Sequence, residues 1–370
     1  MKQYAGMVSP QEETVLALRS LYEGFGYSRF PVRRFEEYGL YLENKSFLKS
    51  ESVLAFASAN GKLMALKPDV TLSIVKRAKA GGVEKLYYNE SVYRASQTDH
   101  EFCEIEQMGV ELLGRVDLYG MCEVLRLAVE SLQTIGSEYV LEISHMGFAG
   151  GLMNAARLED GEKAMLFRLI REKNGHELRA ALAEMPISAK NAELIAALPG
   201  LSGEVTETLR RAEDMVQNEE MAQAIAELRQ IYNILLPLGL CDSLRLDFSI
   251  LNDLDYYNGL VFQGYVRGVP RAALSGGRYD HLMHKFGKVG GGVGFALYLD
   301  ELGQLFAQPE EYDIDILALY GEGDDIAAVF SAADDLRNEG AKVLAAPEAP
   351  GCLRARKMMR YVNGCFMEVE

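Results

Sequence analysis

Strand-like sequence lies on both sides of a long helical segment, and this order restricts the folds that are open to the chain. Residues from about 50 to 145 consist mainly of short strand-like segments, with one helical stretch at 117–136. Residues 150–236 are rich in Ala, Leu, Glu and Arg at helical spacing, and strand-like sequence returns at 238–306. We therefore interpret 150–236 as a helical insertion in an α+β core that spans residues 1–306.

The C-terminal segment has a pattern of its own. After a linker near 307–313 (AQPEEYD), strand-like and helical segments alternate, and the second helix is expected in LRARKMMRYVNG at 353–364. This β-α-β-α-β order predicts a small α/β domain with a parallel sheet at 312–370. A chain of 370 residues is too long for one ordinary core, so a division into domains is expected.

Composition and charge argue against several classes of protein. We find no run of about 18 apolar residues and no apolar leader, so we expect no membrane span and a cytoplasmic location. The five cysteines lack CxxC spacing, which argues against a disulfide framework and against a zinc site. The net charge of −16 argues against a broad nucleic-acid surface, because phosphate binding needs clustered Lys and Arg.

Polar and aromatic groups interrupt segments where buried strands are expected. The segments are LKPDVT (66–71), EQMGVELLG (106–114), LDYYNGLVF (254–262) and GGRYD (276–280). The Asn258–Gly259 step alone is typical of a hairpin turn, whereas a polar inward face would form the wall of a small-molecule pocket. The agreement of all four segments favours the pocket. The glycine-rich GGGVGFA (290–296) lacks the context of a dinucleotide fingerprint, so no cofactor is predicted.

In order and spacing, these four segments resemble the class II synthetase core of the histidyl-tRNA synthetase family over about the first 306 residues. The resemblance implies an antiparallel sheet flanked by helices, a helical insertion and a homodimer interface near Pro31. The C-terminal segment resembles a shortened anticodon-binding domain. Two branches share this core: the working synthetase, and the regulatory subunit of ATP phosphoribosyltransferase. That regulatory subunit does not charge tRNA and partners a short catalytic subunit in histidine biosynthesis.

The chemistry of amino-acid activation separates the two branches, because it needs cations around the phosphates of ATP. Where the synthetase carries arginines, this chain has Asn252 and Cys103, and where it carries Glu-Arg this chain has Asp300 and Glu301. Arg94 is kept. A carboxylate that faces phosphate repels it, so the comparison implies that synthetase chemistry is lost and that the chain is not an enzyme. Residues 310–370 contain 13 acidic and 6 basic residues, which argues against tRNA binding there.

The positions that would hold histidine match the family pattern better than the ATP-binding positions do. By resemblance they are Asp69, Thr71, Arg94, Gln107, Glu111, Tyr256, Tyr257 and Tyr279. The side chains of Asp69, Thr71 and Gln107 are expected near the α-amino group. Those of Glu111 and Tyr257 are expected to face the imidazole, and Tyr279 is expected to close the wall. A carboxylate suits either end, because it accepts strong hydrogen bonds from an ammonium or an imidazole N–H.

The function that the resemblance favours is therefore that of a non-catalytic, histidine-binding regulatory subunit. Its expected partners are L-histidine, a second copy of the chain as a homodimer, and the short catalytic subunit within a hetero-oligomer. No tRNA, metal ion, cofactor or membrane is expected. Two alternatives remain open, namely a histidyl-tRNA synthetase and a synthetase-like binding protein without ligase activity.

Overall fold

The computed structural model describes residues 8–48, 53–79, 82–95, 101–251, 256–306, 312–351 and 353–369. It contains two compact units, Met1–Phe306 and Ala307–Glu370. In the described part of the first unit the strands are β1 (Ser28–Arg29), β2 (Phe35–Glu37), β3 (Ala55–Ala57), β4 (Leu63–Leu66), β5 (Glu84–Ala95), β6 (Phe102–Gly114), β7 (Tyr139–His145), β8 (Ser202–Gly203), β9 (Leu244–Asp247), β10 (Leu260–Val266), β11 (Leu274–Arg278) and β12 (Gly291–Tyr298).

Most of these strands join one large sheet, in the order β1-β5-β6-β12-β11-β10-β7-β9-β8, while β2, β4 and β3 form a small separate sheet. The run from β5 to β7 is antiparallel, as expected, but β1 pairs with β5 in parallel and β7 pairs with β9 in parallel. The sheet is therefore mixed. Parallel neighbours need a long crossover connection, and the helical segment between β7 and β9 is that connection.

The helices of the described first unit surround this sheet. They are α1 (Pro10–Gly24), α2 (Tyr38–Leu42), α3 (Thr71–Arg77), α4 (Leu118–Ile135), α5 (Met146–Ala155), α6 (Asp160–Arg171), α7 (Gly175–Glu184), α8 (Ala189–Ala197), α9 (Val205–Glu213), α10 (Glu219–Leu235), α11 (Asp280–Lys285) and α12 (Gly303–Phe306). A capping box formed by Ser9 and Glu12, with Pro10 next to Ser9, explains where α1 begins. The helices α5 to α10 occupy most of the segment between β7 and β9.

Helix α4 covers one face of the large sheet. It begins at the N-cap Asp117, contacts β10 and β12, and packs on α1 through a 2.9 Å hydrogen bond between Tyr22 Oη and Ser131 Oγ. On β6, Leu112 points to this helix, because a Cβ at Gly120 would lie 2.5 Å from Leu112 Cδ2. Side chains alternate along a strand, so Glu111 and Gln107 point to the opposite face. That face is free of α4 and carries the candidate site.

The second unit consists of β13 (Ile314–Leu319), α13 (Ile326–Asn338), β14 (Val343–Ala346), β15 (Ala355–Val362) and β16 (Cys365–Glu368). Strand β13 pairs in parallel with β14 and β15, and β15 pairs antiparallel with β16. The prediction of a second helix at 353–364 was therefore wrong, because the order is β-α-β-β-β. Asn363 and Gly364, both with positive φ, form the tight turn of a hairpin, and strand pairing overrides the helix propensity of Arg, Lys and Met.

Candidate functional site

A polar cavity lies on the face of the large sheet away from α4. Its empty space of about 370 Å³ includes space that is open to solvent. Strands β5, β6, β11 and β12 form its floor, and two loops, at 69–71 and 256–257, form its walls. All eight predicted residues line it: Asp69, Thr71, Arg94, Gln107, Glu111, Tyr256, Tyr257 and Tyr279.

Glu111 is the most deeply buried acid of the cavity, with 2% of its surface exposed. Its Oε1 accepts a 2.7 Å hydrogen bond from Thr71 Oγ1, and its Oε2 accepts from the hydroxyl of Tyr279. Burial raises the pKa of Glu111 to about 8, against the hydrogen bonds from Tyr279 and Thr71, which lower it. Without a ligand that favours its charged form, Glu111 is therefore mainly protonated at neutral pH.

The loop before α3 carries the second acid. Asp69 Oδ1 accepts a 2.8 Å hydrogen bond from the backbone N–H of Leu72 in the first turn of α3. Thr71, which the resemblance assigns to the α-amino end, donates its hydroxyl to Glu111. This loop therefore joins both polar ends of the cavity.

Arg94 brings a cation to the same end of the cavity as Asp69. Its Nη2 lies 4.0 Å from Asp69 Oδ2, and its Nε donates a 2.7 Å hydrogen bond to the carbonyl oxygen of Pro68. The bond to Pro68 fixes the guanidinium, and the terminal nitrogens point to the carboxylate. An anionic group of a ligand would meet a held cation here.

Gln107 provides a buried amide to the same cavity. It is 2% exposed, and its Nε2 has no hydrogen-bond partner among the described residues. A buried donor without a partner costs about 1–3 kcal/mol, so such groups usually mark a place where water or a ligand binds. Gln107 and Glu111 are four residues apart on β6, so their α-carbons are separated by about 13 Å.

Tyrosines close the wall opposite the strands. The rings of Tyr256 and Tyr257 are 4.5 Å apart in an edge-to-face arrangement, and Tyr279 lies 6.3 Å from Tyr256. Burial raises the pKa of all three hydroxyls well above the ordinary value, so they remain protonated and can donate hydrogen bonds.

Glycines allow this close packing. A Cβ at Gly292 would lie 2.2 Å from the ring of Tyr279, and one at Gly294 would lie 2.0 Å from Glu111 Oε2.

Sequence reasoning missed seven described residues that line the cavity, namely Val70, Tyr88, Ser275, Gly294, Phe295, Ala296 and Tyr298. Strand alternation could have found one of them. Tyr88 is six residues before the predicted Arg94 on β5, so the two lie on the same face of the strand.

The positions tied to loss of ATP chemistry lie elsewhere. Asp300 Oδ2 accepts a 2.5 Å hydrogen bond from the backbone N–H of Glu106, and Glu301 Oε1 lies 3.5 Å from Arg271 Nη1. Cys103 is exposed near the start of β6. Asn252 lies outside the described residues. Within the described ranges, no cluster of three or more His, Cys, Asp or Glu could hold a metal ion, and no helix could span a membrane.

Comparisons of sequence with known proteins identify a family and named relatives. The family described as histidyl-tRNA synthetase matches residues 7–302. Proteins named ATP phosphoribosyltransferase regulatory subunit are 29% identical in Oceanobacillus iheyensis, over 75% of this chain and 69% of that protein, and 30% identical in Clostridium kluyveri, over 76% and 74%.

Solved structures with a similar fold come from proteins with related names. One from Bacillus halodurans is described as an ATP phosphoribosyltransferase regulatory subunit/histidyl-tRNA synthetase; it has 25% identity and a TM-score of 0.74, covering 90% of this chain and 88% of that one. The ATP phosphoribosyl transferase (HisG:HisZ) complex from Thermotoga maritima contains a chain with 21% identity and a TM-score of 0.61, covering 78% and 97%. At that identity the likeness concerns the fold alone.

The sheet, its crossover helices and the cavity on its open face define a protein of the class II synthetase type. The family match extends over most of the chain, and relatives at 30% identity are aligned over about three quarters of their own length. The chain belongs to the histidyl-tRNA synthetase family and, within it, to the ATP phosphoribosyltransferase regulatory subunits.

Proposed function

We propose that this chain regulates ATP phosphoribosyltransferase in histidine biosynthesis by binding L-histidine in the cavity and acting on a short catalytic subunit. One observation carries the proposal. Two buried acids (Asp69 and Glu111), the held cation of Arg94 and the amide of Gln107 converge on a single cavity, and Gln107 Nε2 has no partner among the described residues. Free histidine carries the complementary groups, namely an ammonium, an imidazole and a carboxylate.

In this proposal the imidazole lies at the Glu111 end. Its N–H donates to Glu111, whose carboxylate already accepts from the hydroxyls of Thr71 and Tyr279. The rings of Tyr256 and Tyr257 supply an apolar wall for the imidazole plane. The fit needs no nucleotide, because all these groups belong to the protein.

At the other end the ammonium of histidine lies near Asp69, and its carboxylate lies near Arg94. Gln107 was expected near the ammonium, but its Nε2 is a donor, so in this proposal it faces the carboxylate. Arg94 and Asp69 already neutralise part of each other's charge at 4.0 Å. A zwitterion placed between them would exchange that long contact for two shorter, charge-assisted hydrogen bonds. This arrangement selects an α-amino acid by both of its charges.

The proposed partners are taken from the names of the related structures. The Thermotoga maritima structure is named as a complex of two components of ATP phosphoribosyl transferase. We propose the same kind of assembly for this protein, with a homodimer formed through the segment around Pro31 and no role for tRNA. Light scattering that shows a stable monomer at micromolar concentration would contradict the homodimer.

Histidine binding is tested by calorimetry without ATP or tRNA. Substitutions Glu111→Gln and Asp69→Asn should each weaken binding about ten- to a hundredfold, because a hydrogen bond to a charged group contributes roughly 1.5–3 kcal/mol. The matched control is Glu301→Gln, an acid outside the cavity lining that should leave the affinity unchanged. Wild-type binding that is undetectable at millimolar histidine would show that the cavity is not a histidine site.

The runner-up, a working histidyl-tRNA synthetase, makes a different prediction. It would catalyse histidine-dependent exchange between ATP and pyrophosphate. We expect exchange at the background rate, because Asp300 and Glu301 place two acids where phosphates would need cations. The reaction should be measured with a known synthetase as the positive control, and a clear exchange rate would favour the synthetase function.

A further inference from the structure

The side chains that form the cavity floor increase abruptly in size along β12. The residues of this strand that face the cavity are Gly294, Ala296 and Tyr298, and a Cβ at Gly294 would already collide with Glu111. The floor is therefore flat under the part of the cavity near Glu111. Two residues beyond Ala296, the floor ends at the phenol ring of Tyr298.

The position of Tyr298 along the sheet is fixed by strand pairing. Tyr298 lies directly across from Gln107, and Gly294 lies directly across from Glu111. The ring therefore stands at the level of the buried amide, at the end of the cavity away from Glu111. The ring is partly buried, whereas the floor residue Gly294 is buried.

Two other tyrosines, Tyr88 and Tyr257, line the same cavity as Tyr298. Tyr88 itself lies over Gly109, since a Cβ there would be 2.6 Å from the Tyr88 hydroxyl. Rings from β5, β12 and the loop at 256–257 thus form part of the described lining.

We infer that Tyr298 determines the specificity of the cavity by ending it next to the α-carboxylate, so that a free amino acid fits and a ligand extended through that carboxylate does not. The inference rests on the proposed function, because it uses the orientation of histidine given there. The excluded class comprises peptides, amides and esters of the amino acid, and acyl adenylates. A feedback ligand would in this way be distinguished from histidine that is already joined to something else.

The physical basis is steric. Additional ligand atoms would overlap with the ring where it stands in the cavity, and such overlap is destabilising. The backbone of Tyr298 is held by the pairing of β12 with β6 and by the hydrogen bond from its N–H to the carbonyl of Ala273. A ligand therefore cannot displace the ring by moving a loop.

The test compares two ligands, L-histidine and the dipeptide L-histidyl-glycine, by calorimetry on the full chain. For the wild type we expect the dipeptide to bind at least about tenfold more weakly than histidine. In Tyr298→Ala the ratio of the two dissociation constants should fall at least about fivefold. The matched control Tyr298→Phe keeps the ring and should keep the wild-type ratio.

Each result decides the question. Equal binding of both ligands to the wild type, or an unchanged ratio in Tyr298→Ala, overturns the inference while leaving the histidine site intact. Loss of discrimination in Tyr298→Phe also overturns it, because the hydroxyl and not the bulk would then be responsible. Absence of histidine binding by the wild type instead contradicts the proposed function. If Tyr298→Ala fails to fold, Tyr298→Ser and the wild-type ratio give the same decision.

Discussion

Glu111 combines two properties that oppose each other. It is almost completely buried, which favours the neutral carboxylic acid, yet it accepts hydrogen bonds from Thr71 and Tyr279, which favour the carboxylate. Burial is the larger effect and raises the pKa to about 8. A ligand that brings an N–H donor to this carboxyl group shifts the balance towards the ionised form, so ligand binding and proton release are linked.

The stability of the ligand-free protein should carry the signature of this residue. A glutamate in the unfolded chain ionises with a pKa near 4.5, whereas Glu111 in the fold keeps its proton up to a pKa of about 8. Between these values the folded state binds more protons, so this contribution to the free energy of unfolding falls as pH rises, by up to about 1.4 kcal/mol per pH unit. The stabilising contribution of Glu111 is fully present below pH 4.5 and is lost above pH 8.

Melting temperatures of the wild type and of Glu111→Gln, measured from about pH 5 to about pH 8.5 without histidine, check this expectation. The glutamine side chain of the variant cannot ionise, so the variant should gain stability relative to the wild type as pH rises. The difference between the two proteins removes contributions from other titrating groups. Parallel pH profiles would mean that the carboxyl group is ionised in the fold throughout this range.

At the scale of elements, the pairing of β6 with β12 builds the floor of the site. Gly294 lies opposite Glu111 in this pairing, and its missing side chain provides the space that the carboxyl group occupies. The glycine is therefore required by a neighbour's side chain and not by an unusual backbone conformation.

Gly294→Ala should both destabilise the protein and weaken histidine binding. The new Cβ would lie 2.0 Å from Glu111 Oε2 and 2.3 Å from the carbonyl oxygen of Val110. We expect a loss of about 1–3 kcal/mol in denaturant unfolding and at least about tenfold weaker binding in calorimetry. Gly161→Ala on α6 is the control, because a Cβ there meets nothing within 4 Å. Wild-type affinity in Gly294→Ala would remove Glu111 from the site.

The elements show where sequence reasoning works and where it stops. Local signals predicted α4 closely, because the cap Asp117 and the apolar spacing lie within the segment at 117–136. Strand β15 was misread because its position depends on pairing with β13, which is distant along the chain. The Asn363–Gly364 step was the overlooked signal, since it is typical of a two-residue hairpin turn.

The site was predictable in its polar residues and less so in its shape. Resemblance identified Asp69 and Glu111, but the separation of the two acids depends on how β6 faces the loop at 69–71. The hydrogen bond from Thr71 to Glu111 joins residues 40 positions apart, and no local pattern contains it. The same is true of the link between Asn258 and Asp280, whose side chains and backbone connect the two tyrosine-bearing segments.

At the scale of the whole molecule, charge argues against nucleic acid as a partner of the second unit. Residues 310–370 carry 13 acids and 6 basic residues. Several of those basic side chains are already paired: Arg354 lies 3.0 Å from Asp313, and Lys357 lies 3.2 Å from Glu368. Few cations remain to contact a phosphate backbone, whose binding depends on them.

Regulation is the expected property of the assembled protein. Adding this chain to a short ATP phosphoribosyltransferase catalytic subunit should raise its turnover and make it sensitive to histidine. Couplings of this kind are typically about 1–3 kcal/mol, a change of roughly 5- to 150-fold. Initial rates with and without histidine, together with size-exclusion chromatography, measure both effects.

The variant Glu111→Gln separates assembly from sensing in the same assay. It should still form the complex and still raise turnover, because Glu111 is buried in the cavity and not at the surface. It should respond only to histidine concentrations about ten- to a hundredfold higher. Unchanged rates at saturating mixtures, with no complex on the column, would leave a synthetase-like binding protein of another kind as the better description.

The tyrosine wall of the cavity also gives the protein an optical property. The chain contains 19 tyrosines and no tryptophan, so its ultraviolet emission comes mainly from phenol rings. Five of these rings line the cavity: Tyr88, Tyr256, Tyr257, Tyr279 and Tyr298. An ionised carboxylate that accepts from a phenol quenches its emission, so a ligand that shifts Glu111 towards its ionised form changes the emission of Tyr279. Occupancy of the site can therefore be followed by intrinsic fluorescence, with no label attached to the protein.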